Sequence, residues 1–438
     1  MPVYPQRARR GAGAERKGVS DERSAGRPAN AANHMTGALA VAQSGGPSAV
    51  VNASLAGVIR AAQRAGFARV YGLAHGLEGA LSETLRDLSA EPPENLALLA
   101  RTPGAALGSS RRRLADDEYA RVVDTLRAHD VGAFVYIGGN GSMTVCARIS
   151  AAAQAAGWPL RAAGVPKTID NDLWGTDHAP GYGSAARFLA LAARDTGRDL
   201  EAMATFDDML ILEALGRNAG WLAAAAALGK ESDDDAPHLV YVPEIPFDEA
   251  QFLDDAARVH ARLGYVFVVV GEGIRDAAGA FIGQAQVEAR DVMGRALHSI
   301  GAGASSHLAA LARQRFGWQA RALRPGLVGR SFSACVSETD RAEAELAGAA
   351  AVERLAAGAS GFMVTLERVS AAPYRCVAGA QPLDACAGRE KLLPREYMNA
   401  AGNMVTPAFA DYALPLIGGP LPPLARLRGP LVARRLQL

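Results

Sequence analysis

The way its apolar runs end is what most constrains the fold of this chain. From Ala38 onward, short apolar runs alternate with stretches of helical spacing, and three of the runs stop at loops of glycine and polar residues. "ALAVAQ" runs into Ser44-Gly45-Gly46, "AFVYI" into the GGNGS of Gly138–Ser142, and "LRAAGV" into the PKTIDND of Pro166–Asp172. Between them lie "VVNASLAGVIRAAQRAG", with a glycine stop at Gly66, and "RISAAAQAAG", both of helical period. Strands alternating with helices of about 10–15 residues build βαβ units, so the expected class is α/β with a parallel sheet. In such sheets ligands bind outside the carboxyl ends of the strands, and the three loops are expected to meet over one sheet edge.

A second alternation follows. "MLILEAL" reads as a strand, "GRNAGWLAAAAALG" as a helix starting at Gly216-Arg217, and "HLVYVPEI" as a strand; after a further helix, "YVFVVVGEG" reads as a central strand buried on both faces. The balance of 46 basic against 45 acidic residues gives no overall attraction to nucleic acid or a membrane surface. No apolar run approaches the ~20 residues of a membrane span. Four cysteines are too few for a disulfide framework, Cys376 and Cys386 lack a metal-ligand spacing, and the usage fits a cytoplasmic protein. Residues 1–35 carry seven basic residues without apolar periodicity and read as a disordered extension, or as sequence upstream of a start at Met35.

The chemistry concentrates in PKTIDND. Asp170 and Asp172, two apart, share a face of an extended loop while Asn171 points away. The pair can hold a divalent cation through oxygen and take a proton from a hydroxyl, and Lys167 adds a cation for phosphate oxygens. The bland alternative is a turn whose Asp and Asn satisfy their own backbone. Gly45 and Gly46 let backbone N–H groups approach an anion, and Gly139, Asn140, Gly141 and Ser142 suit an anion cradle where a helix opens. Arg111 in LGSSRRR is a candidate anion contact, Arg217 one at a helix start, and Glu244 a candidate acceptor for a sugar hydroxyl. The scattered histidines, His75, His178, His298 and His307 among them, show no pair at ligand spacing.

The order "AVAQSGGPSAVVNASLAGV", "TPGAALGSSRRRL", "VYIGGNGSM", "GVPKTIDNDLWGTDHAPGYGSAAR", "LEALGRNAGWLA", "VPE" resembles the phosphofructokinases, most of all their pyrophosphate-dependent branch. The resemblance runs from about Met35 to "KLLPREYMNAAGNMVTPAFADYALPLIGG". It implies two Rossmann-like three-layer α/β domains facing a cleft, with residues 36–182 for the phosphoryl donor, 183–324 for fructose 6-phosphate, and 325–438 returning to complete both. It also implies Mg²⁺, a homodimer or homotetramer, and reversible transfer from pyrophosphate to the sugar 1-hydroxyl, a step of glycolysis. By position, Asp170 resembles the base, with Thr168 beside the transferred group, Asp172 and Asn140 at the metal, and Arg111 bridging both substrates. Gly45, Gly46, Gly139–Ser142 and Lys167 fall on the donor site; Thr168, Ile169, Asp170, Leu215, Gly216, Arg217, Glu244 and Arg330 fall on the sugar-phosphate site, with Arg321 serving a neighbouring subunit.

Four positions matter against the family pattern. Lys167 replaces a glycine of ATP users and favours pyrophosphate, whereas Gly141 leaves the room that a nucleotide needs. Asn140 offers the metal an oxygen without charge. Asp208 stands where many relatives carry an arginine for the sugar phosphate. The competing readings are an ATP-dependent 6-phosphofructokinase, a pyrophosphate-dependent kinase of another sugar phosphate such as sedoheptulose 7-phosphate, and a catalytically silent subunit.

Overall fold

The computed structural model describes residues 37–283, 303–386, 388–427, 429–430, 432–433 and 435. The extension over residues 1–35 and His298 lie outside the described residues. The strands, in chain order, are β1 (Ala38–Gln43), β2 (Arg69–Leu73), β3 (Leu85–Asp87), β4 (Val131–Gly138), β5 (Arg161–Pro166), β6 (Met209–Ala214), β7 (Leu239–Tyr241), β8 (Val266–Gly271), β9 (Ala320–Leu323), β10 (Phe362–Ala371) and β11 (Tyr374–Pro382). They form a seven-stranded sheet ordered β11-β10-β5-β4-β1-β2-β3 and a four-stranded sheet ordered β7-β8-β6-β9. The first is parallel apart from the outer pairs β2–β3 and β10–β11, and the second is parallel throughout.

Burial explains which runs become central strands. Every residue of β1 and of β8 is buried, because each lies between two strands and under helices on both faces. From β1 the chain turns outward to β2, whereas β4 leads the other way to β5. Their carboxyl ends therefore flank a switch point, the place where an open sheet leaves a crevice for a ligand.

Two expectations need correction. The segment after Gly216 is not one helix from its Gly-Arg: a short helix spans Trp221–Ala225 and a 3-10 turn Ala226–Gly229, leaving Arg217 in the preceding loop. Gly216 has φ of 122°, and a Cβ there would lie 2.5 Å from the Ala219 carbonyl oxygen, so the chain folds back before a helix can start. The strand read in "HLVYVPEI" is cut to Leu239–Tyr241; Pro243 has no N–H with which to extend the ladder.

Two helices set the spacing beneath the first sheet's loops. Helix Val51–Ala65 follows the Ser44–Val50 loop and is closed by left-handed Gly66. Helix Glu338–Ala356 is capped by Ser337, whose hydroxyl accepts from Asp340 N. They cross backbone to backbone: a Cβ on Gly57 would collide with the Glu345 carbonyl, and one on Gly348 with that of Ser54. Asp340 then reaches forward, accepting from Gly181 N at 2.8 Å and from Ser184 N at 2.9 Å, which anchors the start of helix Tyr182–Ala202 directly after the acid-bearing loop.

Candidate active site

The loops after β1, β4 and β5 meet at the switch point. Lys167 follows β5, and its buried ammonium donates to the Gly46 carbonyl oxygen at 2.8 Å. Gly45 has φ of 77°, and a Cβ there would sit 3.1 Å from Lys167 Nζ. A Cβ on Gly46 would lie 3.0 Å from Arg330 Nη1 and 3.3 Å from Arg111 Nη2. Three cations from distant parts of the chain thus surround one glycine pair. Their crowding has electrostatic effects: burial, with Arg330 and Arg111, brings the Lys167 ammonium down to about 8 against the pull of Asp170. Burial and Arg111 likewise lower Arg330, whose Nε is buried with no hydrogen-bond partner among the described residues.

Asp170 and Asp172 face this group. Burial, followed by Asp172 and Glu272, pushes the Asp170 carboxyl up to about 7, against Lys167 and Arg217. Asp172 is also raised, chiefly by burial. Thr168 joins them, donating from its hydroxyl to Asp172 Oδ1 at 3.0 Å and accepting from Asp170 N at 3.1 Å. Asn140, the first residue of helix Asn140–Ala155, donates to Asp172 Oδ2 at 3.1 Å, while its own Oδ1 is buried without a partner among the described residues. Gly139, Gly141 and Ser142 form the start of that helix around it.

The loop does not have the extended form expected of it. Asn171 has φ of 55°, and its side chain is pinned by Tyr412 Oη at 2.9 Å and Ala179 N at 3.1 Å. The two carboxylates interact because Asn171 turns the chain between them.

On the second sheet, Leu215, Gly216 and Arg217 follow β6, and Arg217 lies within electrostatic reach of Asp170. A small, partly open apolar cavity runs beside them, lined by Ile169, Phe188, Leu215, Leu222 and Pro325 among others. The sequence reading missed Glu272, at the carboxyl end of β8, whose Oε1 accepts from Gly216 N at 3.3 Å and whose charge reaches Asp170. The rule applied to the other strand ends would have found it. Glu244 has a different setting, with its carboxylate accepting from Gly220 N at 2.9 Å and Leu393 N at 2.7 Å. Arg330 stands at the glycine pair beside Arg111, and Arg321 stands apart, bonded to Asp207 at 2.8 Å with 59% of its side chain exposed. Asp208 precedes β6 at the end away from Leu215, held by His260 Nε2 and Gln319 N, each at 2.8 Å.

His178, Glu343 and Cys376 also bring ligand-type atoms within 4.8 Å of one another. That group is already bonded, with His178 between Asp177 at 2.8 Å and Glu343 at 2.7 Å and the Tyr374 hydroxyl on Glu343 at 2.6 Å. It ties the loop to helix Glu338–Ala356.

A glycine-lined crevice ringed by cations, facing two interacting carboxylates, suits the handling of a phosphoryl group and places the molecule among α/β phosphotransferases. Comparison with known proteins narrows the class. The family model described as "Phosphofructokinase" matches residues 38–355, and the chain belongs to the phosphofructokinase family. It is 43% identical over 392 residues to a pyrophosphate–fructose 6-phosphate 1-phosphotransferase of Xanthomonas campestris pv. campestris, covering 88% of this chain and 93% of the relative. A sulfofructose kinase of Alkalicoccus urumqiensis is 34% identical, covering 82% of this chain and 91% of the relative. The crystal structure of a pyrophosphate-dependent phosphofructokinase from Marinobacter aquaeolei superposes with a TM-score of 0.79 at 35% identity, covering 92% and 98% of the two chains.

Proposed function

We propose that this enzyme reversibly transfers a phosphoryl group from pyrophosphate to the 1-hydroxyl of fructose 6-phosphate. The observation that carries this reading is the placement of Lys167, whose ammonium lies against Gly46 between Arg111 and Arg330 and opposite Asp170. Three fixed cations suit a small, highly charged inorganic donor, and the similarity to pyrophosphate–fructose 6-phosphate 1-phosphotransferases spans nearly the whole chain.

In this reading Asp170 accepts the proton of the attacking hydroxyl, which requires its carboxylate form. Lys167, Arg111 and Arg330 take up charge on the moving phosphoryl group and on the leaving phosphate. Arg217, Gly216 and Glu272 orient the sugar over Asp170, beside the small apolar cavity at Ile169 and Leu215. Asp172 and the unpartnered Oδ1 of Asn140 form an oxygen-only donor set that fits a hard divalent cation such as Mg²⁺. When bound, that ion screens phosphate charge.

The donor half comprises residues 36–182 and the sugar half 183–324, with 325–438 serving both. The exposed Arg321 supports a homodimer or homotetramer in which it serves a neighbouring copy, and the free cysteines accord with the cytoplasm. No described helix is long and apolar enough to cross a membrane. The test is the initial rate with fructose 6-phosphate and Mg²⁺, using pyrophosphate and ATP in parallel. Turnover with pyrophosphate is expected; turnover with ATP alone overturns the donor assignment.

A further inference from the structure

The segment Glu390–Leu393 belongs to neither sheet, yet it touches the working loops of both. Lys391 is bound at three levels. Its ammonium donates to Asn171 Oδ1 at 3.3 Å, the Thr176 carbonyl at 3.3 Å and the Asp177 carbonyl at 2.6 Å, so one side chain grips both ends of the turn that follows Asp170. Its backbone N–H donates to the Asp172 carbonyl at 2.8 Å. Its own carbonyl accepts from Trp221 Nε1 at 3.0 Å, and its ammonium lies 4.8 Å over the Trp221 ring. Trp221 opens the helix just after the Leu215–Gly220 loop on the other sheet.

The neighbours repeat the pattern. Glu390 pairs with Leu173 on the acid-bearing loop through a backbone bridge. Its carboxylate accepts from Asn218 Nδ2 at 3.1 and 3.2 Å, next to Arg217, and Asn218 in turn accepts from Arg275 Nη2 at 3.0 Å. Leu393 N donates to Glu244 at 2.7 Å, and that carboxylate also holds Gly220 N. Three successive contacts therefore clamp the loop carrying Asp170 and Asp172 to the loop carrying Gly216 and Arg217. In-line transfer depends on the distance between those two loops, and a misplacement of about 1 Å costs up to about 10²-fold in rate.

We propose that Lys391 and Glu390 are positioning residues, Lys391 fixing the acid-bearing loop and Glu390 fixing the sugar-side loop against it. Neither reaches the glycine pair or the cavity, so each acts through a loop it holds. This inference rests on the phosphotransferase reading above.

The test compares wild type with Lys391→Met, Lys391→Arg and Glu390→Gln in one pyrophosphate assay, with a thermal midpoint for each. Lys391→Met is expected to lower kcat by about 10-fold or more while both KM values stay within roughly 3-fold. Lys391→Arg, which keeps a cation and several donors, is expected to restore most of kcat. Glu390→Gln is expected to raise the KM for fructose 6-phosphate roughly 3- to 10-fold and leave that for pyrophosphate unchanged. An inactive wild type overturns the functional reading. An active wild type with an unaltered kcat in Lys391→Met, or with losses carried wholly by KM, overturns the positioning role. Should Lys391→Met fail to fold, the asymmetric KM effect of Glu390→Gln decides: its absence overturns the role.

Discussion

The ammonium of Lys167 lies 2.8 Å from the carbonyl oxygen of Gly46, joining the loop after β5 to the loop after β1. That bond fixes a third cation beside Arg111 and Arg330 at the glycine pair. In the proposed transfer it sets a cation opposite a carboxylate that has to be free of its proton, and the two requirements oppose each other along the pH axis.

For kcat/KM with pyrophosphate, the rate is expected to rise as Asp170 loses its proton near pH 7 and to fall as Lys167 loses its charge near pH 8. Lys167→Arg is expected to move the alkaline limb upward, since guanidinium stays charged. Lys167→Met is expected to abolish that limb and to cost about 10²-fold. A pH–rate series on the three proteins checks this, and an alkaline limb surviving in Lys167→Met assigns it to another group. Asp170→Asn is expected to lower kcat by about 10²–10⁴-fold.

Glu272 and Glu244 are expected to part company under substitution. Glu272→Gln removes a like charge near Asp170, so the acid limb moves to lower pH while the KM for fructose 6-phosphate rises. Glu244→Gln replaces a carboxylate held by two backbone N–H groups and is expected to lower the denaturation midpoint. Paired pH–rate and urea measurements distinguish them.

Burial alone would lower His178, but its bonds to Asp177 and Glu343 prevail and hold it above its ordinary value. A histidine raised on folding contributes stability that is fully present below the unfolded value of about 6.5 and lost as the pH climbs through the folded value. Thermal midpoints are therefore expected to decline over that alkaline window in the wild type and to decline less in His178→Gln. Parallel slopes would remove His178 as the cause.

Gly57→Ala and Gly348→Ala each force a methyl group into a backbone carbonyl. Each is expected to cost about 1–3 kcal/mol in urea unfolding, a typical penalty for overpacking. A neutral effect would mean that the helices slide apart freely.

How much of this was legible beforehand follows from where each signal sits. Gly45, Asn140, Lys167, Asp170 and Asp172 announce themselves because a parallel sheet exposes its function at strand ends, and those ends are visible as apolar runs broken by glycine. Glu272 lies in the same kind of place, but the length and apolarity of its run mark only a core strand. The approach of Arg330 to Gly46 spans nearly three hundred residues, and no local pattern encodes it. Spacing alone makes Asn171 look extended, because it does not reveal a left-handed φ, which here depends on Tyr412 and Ala179. The pattern of GRNAGWLAAAAALG reads as a helix starting at Gly216-Arg217, but the turn at Gly216 delays the helix to Trp221.

The crossing of Gly57 with Gly348 has a consequence for how such an enzyme can change over time. The gap between the two helices is measured out by main-chain atoms, which every residue shares, so divergence on their outer faces leaves the ruler intact. A side chain at either glycine would push the helices apart, and with them Asp340, whose carboxylate holds the start of helix Tyr182–Ala202 behind the acid-bearing loop.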